Sequence, residues 1–237
     1  MKKLICFQFI IMCLLPALFY SCSSKDPETP ITNSDIWDID QDGIPKFVNT
    51  NYIELSKIFR ISKFRSSEEH DYSDVVEHCR SMKHYFEPRT DVDWTSVKIY
   101  APVNGYFTRV EQESLGIKYE IASDDYPAFR FSIFHVNPYT LRNVNDKVLA
   151  GELLGTHLGV QTKSDISVIV NDPTKHGRMV SYFDVISDLV FNEYVARGLS
   201  SRADLIISKA KRDENPLSCN GELFISSDTI QNWVVLK

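Results

Sequence analysis

The feature that most constrains this chain is a run of strand-length segments between residues 96 and 172. SVKIYAPV (96–103), YFTRVEQE (106–113), GIKYEIAS (116–123), AFRFSIFHV (128–136) and SDISVIVND (164–172) alternate or run apolar, as half-buried or fully buried strands do. Gly105, Gly116, Pro127 and Pro138 punctuate them. VNDKVLAGELLGTHLG (144–159) lies between the last two, and its evenly spaced Gly151, Gly155 and Gly159 predict tight turns between very short strands. Many short strands with little helix between them predict a mainly β domain, a barrel or a sandwich.

The last third changes character. SYFDVISDLVFNEYVARG (181–198) places Phe183, Ile186, Leu189, Val190 and Tyr194 at helical spacing and ends at Gly198. SSRADLIISKAKRDENP (200–216) opens on Ser200 or Ser201 as N-cap and stops before Pro216. These segments predict a helical extension over 180–215 packed on the β domain, making the whole α+β. ELFISS (222–227) and NWVVLK (232–237) predict a closing strand pair. Upstream, 51–64 is ambiguous between helix and strand, and 75–95 reads as an ordered loop with one helical turn.

The N-terminus reads as a targeting signal. Lys2 and Lys3 precede an apolar run that contains Pro16 and is short for a membrane span. LFYSC resembles a lipobox, with Ser21 before the cut and Cys22 as the lipidated residue, although Phe19 stands where a Leu is usual. An ordinary signal peptide with an incidental Cys is the plainer alternative. The expected organisation is a signal over 1–21, a polar linker over 22–50 and one domain over 51–237. Ser23 after the Cys points to an outer-membrane lipoprotein of the cell envelope, periplasmic or surface-exposed. The chain of 237 residues carries −6, and loses two lysines and no acid with its signal, leaving −8. With no basic stripe to neutralise phosphates, nucleic acid is excluded as a partner. Cys79 and Cys219 remain as disulfide candidates in an oxidising compartment, with two buried thiols as the alternative. DIDQDG (38–43) sets Asp38, Asp40 and Asp42 before Gly43, like the start of a calcium loop. Position twelve of that loop is Asn49 rather than Glu, so an acidic turn is the preferred reading.

EEHDYSD (68–74) sets His70 four residues before Asp74. FRSSEEHDYSD, VKIYAPVNGYFTRV, FRFSIFHVN, VNDKVLAGELLGTHLG and SDISVIV follow in an order that resembles the lysostaphin/LytM-type zinc endopeptidases of peptidoglycan, over residues 61–171. The resemblance implies a LytM-like barrel or sandwich. It makes His70 and Asp74 the first zinc ligands and aligns Ile99, Ala101, Pro102 and Gly105 with a V-x-A-P-x-x-G turn. It also gives His135 a catalytic place. NDKVLAGELLG matches the family's glycine turn with Asn145 for its first Gly. The family's closing His-x-His, however, is Asp165-Ile166-Ser167 here. Alternation keeps Asp165 and Ser167 on one face, but the imidazoles are gone, and two ligands are too few for a catalytic zinc. His157 and His84 are the histidines that could complete the set.

The reading is therefore a degenerate, non-catalytic peptidase-like domain. It binds a cell-wall peptide, a glycan or an envelope protein in a groove rimmed by His70, Asp74, His135, Asp165 and Ser167, with Tyr72 and His84 alongside. The alternative is a hydrolase using zinc (calcium being less expected) through relocated ligands, with His135 and Asp165 in catalysis. A structural envelope protein with a filled groove is the third reading. Biotinyl and lipoyl carriers share the A-P-x-x-G turn, but Met82-Lys83-His84 lies before that turn rather than after it.

Overall fold

Each alternating segment forms the strand its pattern predicts. In the computed structural model, which describes residues 35–237, thirteen strands form in chain order: β1 (Ile58–Ser62), β2 (His84–Pro88), β3 (Lys98–Tyr100), β4 (Gly105–Glu113), β5 (Gly116–Ser123), β6 (Phe129–Pro138), β7 (Lys147–Val148), β8 (Leu153–His157), β9 (Ser164–Asn171), β10 (His176–Val180), β11 (Cys219–Asn220), β12 (Leu223–Phe224) and β13 (Trp233–Val235). The signal, the lipidation candidate Cys22 and the first part of the linker lie outside the described residues.

Eleven strands make one antiparallel sheet in the order β13-β1-β2-β9-β6-β5-β4-β7, with β10 added to β9 and β3 joined through β8 to β6. The sheet is open. Its hydrogen-bonded path ends at β7 and β13, strands of two and three residues that pair only with β4 and β1. Of the barrel-or-sandwich expectation, a closed barrel is therefore not what forms, while the mainly β, α+β class stands.

The decisive local feature is a fork. Along one edge, β6 pairs with β9 from Phe129 to Ile133, then with β8 from Val136 to Pro138. The change of partner falls at Phe134–His135, and His135 takes φ +60, a backbone state a non-glycine residue adopts only under constraint. Gly155 lies inside β8, not in a turn as its spacing suggests. A Cβ there would stand 2.2 Å from the Asn137 carbonyl oxygen, so only glycine lets β8 close onto β6 beyond the fork.

Four α-helices complete the fold: α1 (Ile39–Asp42), α2 (Tyr182–Val185), α3 (Asp188–Val195) and α4 (Lys209–Glu214). The single helix expected over 181–198 is two, because the Ser187 hydroxyl accepts from Val190 N–H and starts α3 afresh. Leu189 is exposed, while Phe183, Val190 and Tyr194 are buried. Ser201 caps a 3₁₀ turn over Arg202–Leu205, and Ser208, not Ser200 or Ser201, caps α4. The expected closing pair is absent: β12 pairs with β11, and β13 joins β1 across the chain. The loop expected over 75–95 contains β2. Ile39 and Val48 are core residues, so packing begins inside the segment read as linker.

Tyr52, Phe86, Tyr182, Phe183 and Tyr194 pack between the sheet and the helices, edge to face at Tyr52–Phe86 (centroids 4.9 Å apart) and Phe183–Tyr194 (5.0 Å) and stacked at Phe86–Phe183. Each such buried ring contributes roughly 1.5–3 kcal/mol of transfer free energy. This layer fixes β2 against the helices, and β2 in turn places the residues of the fork.

Candidate functional site at the fork

β2 runs antiparallel to β9 with Tyr85 opposite Asp165 and His84 opposite Ile166. Alternation then sends Lys83 and Tyr85 to one face and His84 and Phe86 to the other. On the first face, Lys83 Nζ lies 2.8 Å from Asp165 Oδ2, with the two side chains 3% and 0% exposed. The ammonium is boxed by ring faces: Phe134 at 3.6 Å, Tyr72 at 4.2 Å and Tyr85 at 5.9 Å from the centroid. Asp165 Oδ1 faces His135 Nε2 at 3.3 Å. Neither contact is an aligned hydrogen bond, since neither carboxylate oxygen has an aligned donor. The other nitrogen, His135 Nδ1, donates to the Leu115 carbonyl at 2.8 Å, which fixes the ring at the kink.

Two further expected residues join this cluster. Ser167 is buried beside Asp165, and the Tyr72 hydroxyl is directed at it. Burial pushes that hydroxyl up to about 12, and the nearby Asp165 charge pushes the same way. His157 ends β8 opposite Val136, is fully buried, and accepts at Nδ1 from Gly159 N–H. Its Nε2 is buried without an aligned partner.

Others go elsewhere. Asp74 is consumed by the backbone: Oδ1 accepts from Val76 and Glu77 N–H and Oδ2 from Met179 N–H, all at 2.8 Å. His70 donates from Nδ1 to the Asp71 carbonyl and stands edge-on to Tyr72. His84 is not a groove residue. It faces the helices, with Nδ1 at 2.8 Å from the Ser62 carbonyl and Nε2 at 2.8 Å from Ser181 Oγ. Of the acidic turn, Asp38 caps α1 through Asp40 and Gln41 N–H, and Asp40 pairs with Lys175 and Arg178. Lys175 and Arg178 hold the Asp40 carboxyl at about 2. Cys79 and Cys219 are joined by a disulfide.

The donor set does not fit zinc. Asp74 is already turned toward three backbone amides, two at Oδ1 and one at Oδ2, and Asp165 already holds an ammonium. A dication beside that ammonium, at about 4 Å and an effective dielectric of roughly 20, would be repelled by about 8 kcal/mol. Among the described residues no three His, Cys, Asp or Glu side chains gather as a metal set. Sequence reasoning missed Lys83, the residue that decides this.

Two buried histidines give the fold a pH response. Burial lowers His84 and His157 from 6.5 to about 4. Both are neutral in the fold and protonate more readily when unfolded. Their contribution is complete above pH 6.5 and is lost as pH falls from 6.5 toward 4, up to about 3 kcal/mol for each. Urea unfolding from pH 7.5 to 4 will show this decline, and His84→Gln will be less stable at pH 7 with a shallower slope.

Away from the fork, an open cleft of about 470 Å³ is lined by Asn49, Asn51, Glu54, Tyr100 and Glu193 among others. Glu193 is held there by Asn51 Nδ2 at 2.8 Å, and Asn51 accepts from the Tyr194 hydroxyl at 2.6 Å.

No protein-family profile matches the chain, and no curated protein matches it. Among solved structures the chain is similar to one from the SpoIIQ–SpoIIIAH pore-forming complex, at 10% identity and TM-score 0.42, over 65% of this chain and 99% of that one. It is also similar to lysostaphin, at 13% identity and TM-score 0.31, over 47% of each chain. A third is a putative glycyl-glycine endopeptidase LytM from Ruminococcus gnavus, at 14% identity and TM-score 0.35, over 54% of this chain and 59% of that one.

Proposed function

We propose that this chain is a non-catalytic envelope lipoprotein, anchored through Cys22, whose peptidase-like β domain binds a cell-wall peptide, a glycan or an envelope protein. The observation that carries this reading is the fate of Asp74. In the sequence order it stands where a peptidase of this type places a zinc ligand, yet both of its oxygens accept from backbone amides. The fork also lacks an open floor, because Lys83, His157, Asp165 and Ser167 are all buried. Binding is accordingly assigned to the open cleft, where Tyr100 offers a ring and Asn49, Asn51 and Glu193 offer hydrogen-bonding groups.

The test is to incubate the mature protein with muropeptides and excess zinc, following cleavage by mass spectrometry and binding by calorimetry. Binding that is weakened by Tyr100→Ala, with no cleavage, is expected. Cleavage lost in His70→Ala and Asp74→Ala would overturn the reading in favour of a zinc hydrolase. Mass spectrometry of the cell-derived protein will show a lipid on Cys22; an unmodified Cys22 would contradict the anchor.

A further inference from the structure

We infer that the fork is a binding site for a primary ammonium, filled from within by Lys83. The inference rests on the peptidase-like reading only for its setting, since the site is defined by its own chemistry. A carboxylate with no exposure supplies the counter-charge, and Asp165 Oδ2 stands 2.8 Å from Nζ. Three ring faces supply the walls, with Phe134 and Tyr72 at 3.6 and 4.2 Å and Tyr85 further out. Aromatic faces with one carboxylate suit a monovalent organic cation, which is held by ring quadrupoles. A transition metal instead needs several hard or nitrogen donors at coordination distance.

The surrounding polar groups agree. Ser167 Oγ is buried without an aligned partner, and the Tyr72 hydroxyl is directed at it. They are neutral oxygens on the ammonium's own side of the sheet. His135 Nε2 lies 3.3 Å from the opposite carboxylate oxygen. Lys118 Nζ, at 5.3 Å from the Phe134 ring, is already paired with Glu111 and leaves the box to Lys83. The site thus explains why a lysine side chain only 3% exposed is tolerated: its ammonium is met by one carboxylate oxygen and by the faces of aromatic rings.

Chemical rescue tests this. Lys83→Ala opens the box and leaves Asp165 uncompensated. Its thermal midpoint is expected to fall by several degrees and to be restored, saturably, by propylammonium. Equal concentrations of 1-propanol or zinc chloride should not restore it. Failure of propylammonium to restore the midpoint, restoration by zinc, or a Lys83→Ala protein as stable as wild type would each overturn the inference. Should Lys83→Ala not fold, Lys83→Met keeps the length of the side chain without its charge. It is then expected to be less stable than wild type and to regain the loss when Asp165→Asn is added, and a loss unchanged by Asp165→Asn would overturn the inference. None of these results bears on muropeptide cleavage, which tests the non-catalytic reading separately.

Discussion

Asp165→Ala is expected to lower the unfolding free energy by about 3–5 kcal/mol, the cost of leaving one member of a buried ion pair alone. The removed carboxylate is fully buried, and its ammonium partner belongs to a side chain only 3% exposed. Lys147→Ala, which breaks an ion pair of similar length between side chains 69% and 42% exposed, is expected to cost less than about 1 kcal/mol. The contrast separates burial from mere distance. Replacing both partners in Lys83→Met/Asp165→Leu should cost well below the sum of the single changes, because the unpaired charge disappears. Urea unfolding at pH 7 of wild type, Asp165→Ala, Lys147→Ala, the double variant and its two single changes, Lys83→Met and Asp165→Leu, measures all six proteins. Additive single effects would show that the two side chains do not act as a pair.

Cys79→Ser/Cys219→Ser is expected to cost about 3–5 kcal/mol. The bridge spans a sequence separation of 140, and closing a loop of that size restricts the unfolded chain by up to about 5 kcal/mol in the entropy account. The bridge also secures the segment leading to Lys83. Arg65, Glu69 and Cys79 all sit at positive φ, a strained state for non-glycine residues. Glu77 accepts from Arg65 and Arg80 at 2.7 Å, and Arg80 reaches Asp213. Denaturant unfolding of the double variant gives the loss, and amide exchange will locate the first opening at residues 65–83. A loss below about 1 kcal/mol would mean that the arginine–carboxylate network alone holds the segment.

Much of the sheet was legible because β4, β5, β6 and β9 carry their own alternation or apolar runs. β2 was not, because HYFEP mixes aromatic, charged and proline residues. Its two faces make sense only once His84 and Phe86 meet Phe183 while Tyr85 and Lys83 meet the fork. The pairing of β13 with β1 leaves no local signal, since it joins residues 62 and 233. Motif order placed His135 and Asp165 in one region, and the structure brings them to 3.3 Å. His70 and Asp74 were misleading because a short His/Asp spacing does not reveal which backbone amides a carboxylate will cap. Lys83 was hidden by a sound rule, that lysine is rarely buried. The exception exists because Asp165 and three rings were assembled around it from β6, β9, β2 and the segment before β2.

The most direct test of a fork charged from within is zinc analysis of the mature wild-type protein after incubation with excess zinc and muropeptides, followed by desalting. The structure predicts no stoichiometric zinc retained and intact muropeptides. One zinc per chain, lost in His70→Ala together with muropeptide cleavage, would contradict it.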